Sequence, residues 1–154
     1  MLKRYLFFHE DSSDYETASA TCSSLGGKLW TPDNLDENDL IGSKIFDLVV
    51  EGAGGYNLWI GVNDLDVEGT YVEEGTGNEI DFINWQTGTD EPPNGTDNRD
   101  CVKYNMKSKF WDTDLMYKWG DVKCACGCTN GFICEFDMWN EEFISYSSSC
   151  STCG

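Results

Sequence analysis

The sequence predicts an α+β domain held together by disulfides. Two stretches with helical spacing of apolar residues lie in the first third of the chain, short runs rich in aromatic and β-branched residues surround them, and eight cysteines occur in 154 residues. An even cysteine count in so short a chain reads as a disulfide framework, which belongs to an oxidising, extracellular compartment. The length suits a single hydrophobic core.

Tyr15, Ala18, Cys22 and Leu25 recur at helical spacing, Asp11 to Asp14 supply N-cap residues, and Gly26-Gly27 ends the turn. A second helix is expected from Leu35 to Val49, with Leu40, Ile41, Ile45, Leu48 and Val49 as its apolar stripe and Gly52 to Gly55 as its stop. Strands are expected at Tyr5 to Phe8, Leu58 to Val62, Gly69 to Val72, Cys101 to Asn105 and Phe132 to Phe136. Between Gly75 and Asn98 the chain is dense in Gly, Asn, Asp, Thr and Pro without apolar periodicity, which predicts a loop long enough to be functional. Residues 1–136 read as the domain, and residues 137–154 as a Cys- and Ser-rich tail stapled to it.

Acids outnumber bases 28 to 10, a formal charge of −18 that repels nucleic acid and anionic membrane surfaces. Such carboxylates suit calcium, although a solvated acidic surface accounts for most of them. The opening Met1 to Phe8 holds too few apolar residues for a signal-peptide core or a membrane span, so the expectation is a mature protein already relieved of its export signal. His9, the only histidine, stands beside Glu10 and Asp11, expected at the end of a surface strand, and assembles no His-dependent triad. No particular carboxylate pair is marked for glycoside hydrolysis, so an enzyme is not expected.

Several short motifs come in a telling order: Cys22 on its helix, Trp59-Ile60-Gly61, Trp85 ahead of Glu91-Pro92, Asp100-Cys101-Val102, Trp119-Gly120-Asp121 with Cys124, and Phe132-Ile133-Cys134-Glu135. From about Tyr5 to Phe136 this resembles the C-type lectin-like domains. The resemblance implies two helices flanking small antiparallel sheets, a long-loop lobe that carries the binding site, and disulfides Cys22–Cys134 and Cys101–Cys124. It also implies a secreted sugar-binding module that works with calcium, with carbohydrate and also protein as partner classes. The other reading is a calcium-independent interaction domain that binds protein, mineral or ice through the same lobe.

In that family the sugar-holding calcium takes ligands from a Glu-Pro-Asn turn, from an acid before Asp-Cys, and from a Trp-Asn-Asp strand. Glu91 and Asp121 match, whereas Pro93, Arg99 and Gly120 stand where the remaining ligands are expected. Calcium wants six to eight oxygens, so the resemblance implies a weak or non-standard site. Asn94, Asp97 and Asn98 are the local residues that could compensate, and Arg99 could instead neutralise Glu91, Asp100 and Asp121 without metal. An auxiliary calcium seen in some relatives maps onto Asp64, Glu68, Asn94, Arg99 and Asp100, although Asp64 and Glu68 would also suit an ordinary polar turn. Asn94-Gly95-Thr96 is a glycosylation triplet inside the same loop.

Trp59, Trp85 and Trp119 fall at positions the family buries, whereas Trp30, Trp111, Tyr117 and Trp139 are the aromatics with more claim to exposure. After the two family disulfides Cys126, Cys128, Cys150 and Cys153 remain. Two bridges from the Cys124-to-Cys134 loop to the tail are expected, since closing Cys126-Gly-Cys128 on itself would be strained; a zinc site is the rival.

Overall fold

The computed structural model describes residues 2–49, 55–86, 98–106 and 115–138. Along the chain these form β1 (Leu2–His9), α1 (Tyr15–Ser24), β2 (Lys28–Leu29), α2 (Leu35–Val49), β3 (Tyr56–Asn63), β4 (Val72–Glu73), β5 (Cys101–Met106), β6 (Trp119–Val122) and β7 (Gly131–Met138). One sheet runs in the order β1-β7-β3-β5-β6, with β2 added to β7 and β4 to β3. The pairings are antiparallel except for β3 with β7, which run parallel at Leu58↔Gly131 and Trp59↔Phe132.

Helix α1 starts where Asp14 accepts the Thr17 N–H at 2.9 Å, and it buries Tyr15, Ala18 and Cys22. Cys22 is bonded to Cys134 of β7 inside a small core that includes Trp59 and Phe132. The second core, around Trp30, Ile45, Leu58, Ile60, Tyr104 and Trp119, fills the space beneath α2.

Helix α2 has the expected limits but turns a different face inward. Leu40 and Leu48 are exposed, while Asn38, Gly42 and Ile45 face the sheet. The reason is a polar anchor: Asn38 donates to the Tyr117 carbonyl at 3.0 Å, accepts the Trp119 indole N–H at 2.9 Å, and its carbonyl accepts the Tyr104 hydroxyl at 2.7 Å. Gly42 beside Tyr104 and Tyr117 completes the fit.

Other expectations are corrected in detail. The strand expected at Gly69 to Val72 is confined to Val72–Glu73, because Gly69 takes a left-handed φ of 82° and uses its N–H on Asp64. Trp30 is fully buried and donates to Glu37 at 2.8 Å, and Tyr117 is half-buried against Tyr104; Trp111 and Trp139 lie outside the described residues. Trp85 is half-buried rather than enclosed. Cys126 and Cys128 are bonded to each other, so neither is left for the tail. The intervening Gly127, at φ 63°, reverses the chain so that the two Cα atoms stand 5.1 Å apart. The tail, with Cys150 and Cys153, lies outside the described residues.

The Trp59-Ile60-Gly61 run owes its glycine to β2. A Cβ on Gly61 would collide with the Leu29 carbonyl and stand 2.7 Å from the Thr31 hydroxyl. Since backbone gives way poorly, Gly61→Ala should lower the melting temperature by several degrees, measured by circular dichroism, whereas Ala at the open Gly69 position should act only through its backbone strain.

Candidate functional site

The long-loop lobe is rooted on β3, β5 and β6. At the end of β3, Asn63 pairs with Cys101, and the next residue, Asp64, donates its N–H to the Asp100 carbonyl at 3.0 Å. This places the first turn of the lobe directly over the start of β5. The turn closes on itself, with Asn63 Oδ1 accepting the Leu65 N–H and Asp64 Oδ2 accepting the Gly69 N–H at 2.8 Å. Its closure brings one carboxylate oxygen each of Asp64, Glu68 and Asp100 within 4.8 Å of one another.

Asp64 is the inner member of the trio, 2% exposed, with Glu68 exposed and Asp100 intermediate. Its Oδ1 is buried without a hydrogen-bond partner among the described residues. Burial pushes the Asp64 carboxyl up from its ordinary value, and the charges of Asp100 and Asp121 push the same way against the Gly69 N–H. A buried carboxylate oxygen with no donor, facing two further carboxylates, is the arrangement that a cation with oxygen ligands relieves.

Asp121 belongs to a second, differently balanced pair. Strand β6 is held by its first residue: Trp119 N–H donates to Asn84 and its carbonyl accepts from Gln86, both at 2.8 Å, and its ring meets Phe82 and Trp85 edge-on. Two residues on, Asp121 lies opposite Val102, buried, with its Oδ1 at 3.7 Å from the Arg99 guanidinium. Gly120 lies between Trp119 and Asp121 on the strand, where a Cβ would stand 3.3 Å from Gln86 Oε1 and Lys103 Cε. Thus a cation already faces Asp121 from within the chain.

Of the residues singled out from the sequence, Asp64, Glu68 and Asp100 come together, Asp121 joins Arg99, and Asn98 is exposed just before Arg99. Glu91, Pro93, Asn94 and Asp97 lie outside the described residues. Sequence reasoning passed over Asn38 and Asn84, whose amides hold the Tyr117 carbonyl and thereby set β6. Asn38 stands three and seven residues before Ile41 and Ile45, so an amide at core spacing was the available signal.

Residues 11–136 match the family described as the lectin C-type domain. This chain belongs to the C-type lectin domain family. Human tetranectin is 31% identical over 137 residues, covering 89% of this chain and 61% of its own, and bovine collectin-11 is 33% identical over 135 residues, covering 88% and 43%. This C-type lectin domain therefore spans about three-fifths and two-fifths of those relatives. The cow CD23 C-type carbohydrate-recognition domain, solved in the presence of GlcNAc2Man3 oligosaccharide, superposes with a TM-score of 0.66 at 24% identity, covering 90% of this chain and 91% of its own. Among the described residues of the lectin domain, no helix is long and apolar enough to cross a membrane.

Proposed function

We propose that this chain is a secreted, non-enzymatic carbohydrate-binding module that holds calcium weakly in its long-loop lobe. Family membership supports sugar as the ligand class. The observation that carries the metal reading is the buried, unpartnered Oδ1 of Asp64 beside Glu68 and Asp100. These three residues would hold the ion, and a bound calcium would supply positive charge that orders the loop and meets ligand oxygens.

Calorimetric titration should give a dissociation constant of roughly 10⁻⁴–10⁻³ M, the extracellular class. Asp64→Asn should remove that response while keeping the turn, because the amide oxygen can still accept the Gly69 N–H. The same variant should melt higher than wild type in chelator, since it no longer buries an uncompensated charge. Asp64 also sets a pH dependence. With its folded value above the unfolded one, its ionisation opposes folding, so in chelator its contribution improves as pH falls through the raised value and worsens as pH rises. Calcium needs the ionised form, so its stabilising effect should fade over the same acidic interval, and melting curves across pH with and without calcium read both trends. A glycan screen with and without chelator tests the ligand class.

The Arg99–Asp121 pair favours a second reading, an interaction domain that works without metal at the sugar position. Unchanged melting in millimolar calcium, with ligand capture insensitive to chelator, would select it.

A further inference from the structure

We propose that the Cys126–Cys128 disulfide is a thiol-exchange site, opened by a low-molecular-weight thiol at Cys128 while the rest of the disulfide framework stays closed. Three observations separate this bond from the other two among the described residues. Cys22–Cys134 is 0% exposed at both ends and Cys101–Cys124 is closed at Cys101 and partly open at Cys124, whereas Cys126 and Cys128 both keep part of their surface open on the turn between β6 and β7. The bond spans two positions, against 112 for Cys22–Cys134 and 23 for Cys101–Cys124, so it restrains the unfolded chain least and its opening leaves the fold standing. The turn is also held independently of the sulfurs: Cys126 N–H donates to Lys123 O at 3.0 Å, and the Asn57 amide donates to Cys128 O at 3.2 Å.

The two sulfurs are not equivalent. Cys126 packs against the small core with Phe8 and Phe136, and its Sγ accepts the Cys128 backbone N–H at 3.2 Å. A donor aimed at Sγ stabilises the charge that develops there, which makes Cys126 the leaving sulfur and Cys128 the attacked one. In the exchange an incoming thiolate forms a bond to Cys128 Sγ, the Cys126–Cys128 bond breaks, and its electron pair departs on Cys126 as thiolate. One disulfide replaces another, so no external oxidant is consumed. Neither cysteine belongs to the carboxylate trio or to the Arg99–Asp121 pair, and the inference stands apart from sugar binding.

The test incubates the full chain, folded, in graded mixtures of reduced and oxidised glutathione, quenches by alkylation, and maps the cysteines by peptide mass. A parallel run with Cys150→Ser and Cys153→Ser removes the tail cysteines as attacking thiols. In both chains Cys126 and Cys128 should open at least tenfold faster than the other pairs, with the glutathione adduct on Cys128, the free thiol on Cys126, and the circular dichroism unchanged. The pH–rate profile for alkylation of Cys126 in Cys128→Ser should have its midpoint below that of Cys128 in Cys126→Ser. Simultaneous opening of all pairs, an adduct mainly on Cys126, or a starting map that joins Cys126 or Cys128 to the tail would overturn the proposal.

Discussion

Replacing Cys22 and Cys134 together by alanine should cost the fold about 5 kcal/mol. The bond joins positions 112 apart, and chain-entropy reasoning assigns a loop of that size about that much, against roughly 3.5 kcal/mol for the 23-position Cys101–Cys124 loop. The loss is comparable to the whole stability of many domains, so the double variant should be largely unfolded at body temperature. Urea denaturation of both proteins, monitored by tryptophan fluorescence, gives the difference directly. A loss below that of the Cys101–Cys124 variant would mean that packing of α1 on β7, rather than chain restriction, holds this corner together.

A second large change is expected at the Arg99–Asp121 pair. Arg99→Glu combined with Pro93→Asn and Gly120→Asn restores the ligand types that the family uses around Glu91 and Asp121, and calcium affinity should rise at least tenfold, about 1.4 kcal/mol, by calorimetry. Chelator-sensitive sugar binding should appear or strengthen. Space for the side chain that Gly120→Asn introduces is limited by Gln86 and Lys103, but the atoms in the way are ends of flexible side chains. In chelator the same variant should be less stable than wild type, because Asp121, with its side chain 3% exposed, exchanges a cation for a like charge. Arg99→Glu alone should follow in affinity, then Arg99→Ala, then wild type. Were wild type the tightest binder, the lobe would coordinate calcium in another register, through Asn94, Asp97 or Asn98.

Much of the architecture was legible because it rests on local patterning. The helical limits follow from caps and glycines, and the long strands from runs such as Leu58 to Val62 and Phe132 to Phe136. What escaped depends on partners far along the chain. Strand β2, two residues long, exists because β7 offers Lys28 and Leu29 a ladder, and the inward face of α2 is chosen by Asn38 reaching Trp119, 81 positions away. Leu40 and Leu48 could not reveal that from their own spacing. The strain expected of a Cys126–Cys128 bond leaves out the left-handed Gly127 that closes it. At the site, the family resemblance marks Asp64, Glu68 and Asp100, yet only the fold shows that Asp64 is sealed in, with an Oδ1 that has no donor among the described residues, while Glu68 stands in water.

The pairing of β1 with β7 also decides how this domain meets a mechanical load. Leu2 lies opposite Met138 and His9 opposite Gly131, so the first and last strands leave the sheet side by side at one end. Tension applied through the two strand ends would not shear the ladder all at once; it would peel the pairs singly from Leu2↔Met138 inward, at low force. Peeling then meets the Cys22–Cys134 link, which carries the load covalently and shields everything between those cysteines, the carboxylate trio and the Arg99–Asp121 pair included. Such a domain can yield slack at its root while the carboxylate trio and the Arg99–Asp121 pair stay in place.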